Sequence, residues 1–172
     1  MKRVAAALLL VTGAAHGGPA SPAPCAAAEM HQFDFWAGRW QVSSADGRTT
    51  LGASEVEAVA GGCALHEHWH GSKGAEGESL NIYDAASGHW HQTWVDNSGA
   101  LLQLDGGLVG KAMVLENVHG PAAARVTERI TWTPLPDGRV NQRWETIPAG
   151  KPATISFDGY YRRRAETSGA SP

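Results

Sequence analysis

The stretch Leu65-His66-Glu67-His68-Trp69-His70 holds the densest set of chemically able side chains in the chain. In an extended strand, alternation places His66, His68 and His70 on one face and Leu65, Glu67 and Trp69 on the other. Imidazoles two residues apart on a strand can chelate zinc or copper, and His89 with His91 could complete the set if that segment lies alongside. Glu76 falls late for the glutamate that such an H-x-H site wants. The plainer reading of these five histidines is a solvated face that needs no metal. Glu67 offers different chemistry. A carboxylate between Leu65 and Trp69 on an inner face must be paired, hydrogen-bonded or protonated, and desolvation raises its pKa. Such a group can orient a ligand or serve as a general acid or base. It can equally be a structural carboxylate held by Arg39, Asn81, Gln92 or Tyr83. No G-x-S-x-G occurs, and neither cysteine sits beside an obvious base. Gly61-Gly62 and Gly106-Gly107 read as turns without the strand-to-helix context of a phosphate loop. The chain therefore reads as a binder before an enzyme, with Glu67 the residue to carry any catalysis.

The segments that must position these groups are short strands. Across Asp84-Ala85-Ala86-Ser87-Gly88, a tight connection with glycine placed for a left-handed backbone, Tyr83 faces Trp90, Asn81 faces Gln92 and Ser79 faces Trp94. One face of that hairpin then carries Ser79, Asn81, Tyr83, Trp90, Gln92 and Trp94. The opposite face carries Leu80, Ile82, His89, His91, Thr93 and Val95. Large rings mixed with uncharged hydrogen-bonding groups make the wall of a ligand cavity rather than a dry core. Pro136-Asp137-Gly138 repeats the plan, pairing Trp132 with Gln142 and Ile130 with Trp144. Arg143 and Glu145 then face outward, the cheaper choice given what burying unpaired charge costs.

Strands are expected from Gly38 to about Ser44, then over 49–59, 63–70, 79–84, 89–95, 100–104, 111–116, 126–133, 139–146 and 154–162. Between them lie turn signals such as Asn97-Ser98-Gly99 and Asp105-Gly106-Gly107. No segment holds a helical apolar period over three turns. About ten short strands joined by tight turns indicate an all-β antiparallel up-and-down barrel, because closure removes exposed edges. His31-Gln32-Phe33-Asp34-Phe35-Trp36 fits one helical turn that plugs an end of it, with Asp34 a cap and Asp96 a turn residue.

The chain has 172 residues, enough for one domain. Its formal net charge of −3 and lack of a basic run beyond Arg162-Arg163-Arg164 give no reason to expect nucleic acid. Lys2-Arg3, the apolar run Val4 to Val11 and the small residues after it read as an export signal over 1–20, too short to span a bilayer. A Pro/Ala-rich leader follows over 21–30, then the barrel over 31–164 and a disordered tail over 165–172. A periplasmic or secreted protein is expected, as a monomer or weak dimer. Cys25 and Cys63 are the only cysteines. In an oxidising compartment they are expected to pair, closing a loop worth about 3 to 4 kcal/mol in the chain-entropy model, the alternative being two free thiols.

Phe33-Asp34-Phe35-Trp36-Ala37-Gly38-Arg39-Trp40, Gly62-Cys63 with Glu67-His68-Trp69, Leu80 to Asp84 with Gln92 to Asp96, Ile130 to Gly138 and Phe157 to Arg162 together resemble a family of exported bacterial proteins of unknown function. More loosely, Gly38-Arg39-Trp40 on a first strand resembles the G-x-W signature of lipocalins and other calycin barrels. That resemblance implies a barrel holding a small, largely apolar ligand. It also implies an arginine from late in the chain, Arg162 or Arg163, packed on Trp40.

The resulting expectation is a cavity for a small apolar or aromatic molecule. Trp69, Trp90, Trp94, Trp132 and Trp144 would line it, and Glu67, Asn81, Tyr83, Gln92 and Gln142 would orient the occupant. No cofactor is required. Haem, known in some bacterial calycin relatives, or zinc or copper on His66, His68, His70, His89 and His91, is the alternative.

Overall fold

The computed structural model describes residues 25–164. The export signal expected over 1–20, the start of the leader and the tail expected over 165–172 lie outside the described residues. Ten strands follow in chain order: β1 (Gly38–Ser43), β2 (Thr50–Val59), β3 (Ala64–Gly71), β4 (Glu76–Asp84) and β5 (His89–Asp96), then β6 (Leu101–Val109), β7 (Ala112–His119), β8 (Val126–Pro134), β9 (Val140–Pro148) and β10 (Thr154–Arg163). Each pairs with its neighbours antiparallel, and β10 returns to β1, so the sheet is a closed barrel with no free edge.

The hairpin registers follow the alternation of the sequence. Tyr83 lies opposite Trp90, Asn81 opposite Gln92 and Ser79 opposite Trp94, and Trp132 meets Gln142 while Ile130 meets Trp144. Glu67, Ser79, Asn81, Trp90, Gln92 and Trp132 are buried inside. The imidazoles point the other way, with His68 and His70 side chains 40% and 69% exposed.

One turn falls elsewhere than expected. β6 runs through Gly106-Gly107, and the chain reverses at Gly110, whose φ is 62°. Gly106 serves a close approach instead: a Cβ there would lie 2.1 Å from the Val114 carbonyl on β7. The glycine is needed for backbone proximity, not for bending.

The end of the barrel where β1 begins is closed by two 3₁₀ turns, Ala28–His31 and Asp34–Trp36. Phe33 and Trp36 are fully buried and stack at 5.0 Å between centroids. Phe33 meets Trp132 edge-on at 5.1 Å and Trp90 at 5.6 Å, so the plug rests on the deep indoles of the barrel. The Trp40 indole donates to the Trp36 carbonyl at 2.9 Å. The Arg163 guanidinium lies 4.4 Å from the centre of the Trp40 ring and donates to the Ala37 carbonyl at 3.0 Å. Arg163 is thus the late arginine of the two candidates. Gly38 makes room for it, since a Cβ on that residue would stand 2.3 Å from the Arg163 Nη1. Cys25 and Cys63 form a disulfide, tying the leader to the β2–β3 connection at the same end.

Candidate functional site

Five buried polar side chains run as a band across the inner wall: Ser54 on β2, Glu67 on β3, Ser79 and Asn81 on β4, and Gln92 on β5. Ser54 Oγ donates to Glu67 Oε1 at 2.9 Å, and Ser79 Oγ donates to Glu67 Oε2 at 3.2 Å. The partners of Glu67 are therefore these two hydroxyls. Of the four groups expected to hold it, Asn81 and Gln92 reach it only through Ser79, no bond joins it to Tyr83, and Arg39 pairs outside with Glu55 at 2.6 Å. Burial raises the Glu67 pKa from 4.5 to about 7, opposed by the two serine bonds.

The direction of the remaining bonds is fixed by a backbone group. The Leu65 carbonyl can only accept, so the amide nitrogen of Asn81 faces it, at 3.3 Å. Asn81 Oδ1 then accepts from Gln92 Nε2 at 2.8 Å. That leaves Gln92 Oε1 buried with no hydrogen-bond partner. Such an orphan acceptor costs about 1 to 3 kcal/mol until a donor reaches it.

Gln92 and Glu67 border a cavity of about 170 Å³. Gln142 faces them; its Oε1 accepts from the Tyr161 hydroxyl, and its Nε2 remains to donate. The rest of the wall is mostly aromatic, from Trp69, Trp94, Trp144, Phe157 and Tyr161, with Leu102, Ile130 and Ser156 filling the gaps. Burial and then the Glu67 charge push the Tyr161 hydroxyl well above its ordinary pKa, so it stays a neutral donor. The indole N–H of Trp94 donates to Asp96 at 3.4 Å, and that of Trp144 to Glu128 at 2.6 Å. These residues sit toward the strand ends opposite the plug, so the cavity belongs to the open end of the barrel. A space of about 150 Å³ holds benzene, so this one suits a single ring or a group of similar bulk and is far too small for a tetrapyrrole.

Of the residues expected to bound a pocket, Glu67, Trp69, Gln92, Trp94, Gln142 and Trp144 are brought together. Trp90 and Trp132 lie in the core against Phe33 instead, and Asn81 stands behind the wall, holding Gln92. Tyr83 opens on a separate groove beside the plug, with Gln32 and His89. Leu102, Ile130, Ser156, Phe157 and Tyr161 are lining residues beyond the expected set. Leu102 is marked by alternation along β6, Ile130 by alternation along β8, and Phe157 and Tyr161 by alternation along β10, where they lie opposite Trp144 and Val140; only Ser156 is hidden, by the register shift between Ile155 and Phe157. Glu128 also went unremarked. Alternation from Ile130 and Trp132 puts it inward, and Trp144 and Thr146 bind it there.

On the outer face, His66 and His68 share Glu78, at 3.1 Å and 3.6 Å. The ligating atoms of the three lie within 4.8 Å of one another, a set that could hold a metal ion. The third member is Glu78 rather than His89, His91 or Glu76. His91 is engaged by Asp105 at 2.7 Å and Thr93 at 2.9 Å, and β4 separates its strand from β3. His70 faces Glu76 only at 3.9 Å, and His89 is exposed by the plug-side groove. The imidazole rows therefore do not converge.

Fold and site define a closed antiparallel barrel, consistent with a calycin-like architecture, with a small cavity compatible with ligand binding. No family model and no curated protein matches the sequence. The resemblance to an exported family thus rests on its motif residues, while the barrel agrees with the calycin likeness.

Proposed function

We propose that the protein binds a small, largely apolar or aromatic molecule in the open-end cavity, outside the cytoplasm. Glu67, Gln92 and Gln142 orient the occupant, and Trp69, Trp94 and Trp144 pack against it. Trp90, Trp132, Asn81 and Tyr83 support this wall or the plug rather than touching the ligand. The carrying observation is the cavity itself, a mostly aromatic wall into which the polar band brings Glu67, Gln92 and Gln142. A binding site commonly looks like this, apolar walls with a few fixed polar groups. The Cys25–Cys63 disulfide supports an oxidising compartment.

Titration of the purified protein with benzene and phenol, followed by tryptophan fluorescence and calorimetry, tests the proposal. Phenol is expected to bind about tenfold more tightly than benzene, because its hydroxyl reaches the acceptors on the cavity wall. Absence of binding by either would defeat the reading. A second reading is favoured by the Glu67 pKa near 7, where a carboxyl group exchanges protons readily at neutral pH. On that reading Glu67 is a general acid or base, and Glu67→Gln keeps ligand affinity while abolishing turnover.

A further inference from the structure

Taking the cavity as a binding site, as proposed above, we infer that its ligand class is an alkylated ammonium cation of about trimethylammonium size. Five aromatic residues, Trp69, Trp94, Trp144, Phe157 and Tyr161, line the cavity together with one carboxylate residue, Glu67. Ring faces carry negative potential, and boxes of such rings are how proteins hold quaternary ammonium groups. The electropositive N–H edges of Trp94 and Trp144 are committed to Asp96 and Glu128, which places two more carboxylates behind the wall.

Charge points the same way. No lysine or arginine among the described residues lines the cavity, and Glu67 has only hydroxyl partners. The titratable groups bordering the space are Glu67 from β3 and Tyr161 from β10, so nothing there compensates a negative charge. With a neutral occupant Glu67 keeps its proton, and an anion opposes its ionisation further; a cation pairs with the carboxylate and draws the proton off.

The apolar wall selects the kind of cation. A primary ammonium carries three donors that must each find an acceptor once water is gone, whereas most of this wall is ring and alkyl surface. A fully alkylated ammonium needs no acceptor and gives its methyl groups to the rings. Its head matches a cavity of about 170 Å³.

The test compares choline with 3,3-dimethylbutan-1-ol, which has the same shape without the charge, by calorimetry on the purified protein. Choline is expected to bind at least about tenfold more tightly than the alcohol. Glu67→Gln should lose most of that preference while keeping affinity for the alcohol. Phe157→Leu, which removes one ring and leaves the carboxylate alone, should weaken choline more than the alcohol. Equal or tighter binding of the alcohol by the unaltered protein overturns the inference. If phenol binds and choline does not, this inference fails and the cavity reading stands. If choline, the alcohol, benzene and phenol all fail to bind, both fall.

Discussion

Glu67 holds its proton into the neutral range because burial strips the carboxylate of water while only Ser54 and Ser79 donate to it. The folded protein therefore binds this proton more tightly than the unfolded chain does. Between pH 4.5 and about 7 the folded state carries the extra proton, so stability falls as pH rises through that window. The stabilisation is complete below the lower value and gone above the higher one, and amounts to at most about 3 kcal/mol. Urea titrations across this range should show the decline in the unaltered protein and a flatter profile in Glu67→Gln. The hydroxyl of Tyr161 makes a second prediction. Tyr161→Phe removes the donor to Gln142 Oε1 and should lower stability by about 1 to 2 kcal/mol, measured as a shift in denaturation midpoint.

At the scale of strands, the cavity owes its walls to adjacent hairpins held in fixed register. β3 and β4 set Glu67 directly opposite Ser79, and β4 and β5 set Asn81 opposite Gln92. A slip of one residue would turn the whole band outward and bring the imidazoles in. Beside this wall, β6 and β7 approach so closely at Gly106 that a methyl group would collide with the Val114 carbonyl, whereas Gly107 faces open space. Gly106→Ala should cost about 2 kcal/mol or more through backbone displacement. Gly107→Ala should stay within about 1 kcal/mol, and thermal melts of the two variants compare them directly.

Taken whole, the molecule is a cup with one sealed end. Phe33, Trp36 and Trp40 fill the base, Arg163 clamps the first strand to the last, and the disulfide fastens the leader beside them. Cys25 and Cys63 are 38 residues apart, so the bridge constrains the unfolded chain substantially. Cys63→Ser, or reduction of the unaltered protein, should lower unfolding free energy by about 4 kcal/mol in the chain-entropy model. Chemical denaturation with and without reductant measures it. Because the disulfide lies at the plug and the cavity at the opposite end, ligand affinity below the unfolding transition should change little.

The ten strands, the inward turn of the indoles and the outward turn of the imidazoles were legible in the sequence, because face is a local property of a strand. A two-residue alternation beside turns such as Ser87-Gly88 and Asp137-Gly138 settles it without knowledge of the rest of the chain. Arg163 over Trp40 was legible as one of two choices by likeness to G-x-W barrels. What alternation could not decide was depth. Trp90 and Trp94 share a face, yet one packs under the plug and the other borders the cavity. Ser54, on the strand before Glu67, became its partner only through the register in which β2 pairs with β3. Ser156 joined Phe157 on the wall only through a register shift in β10. Depth and partnership come from strand tilt, bulges and the seat of the plug, which are set by contacts between residues far apart in the chain.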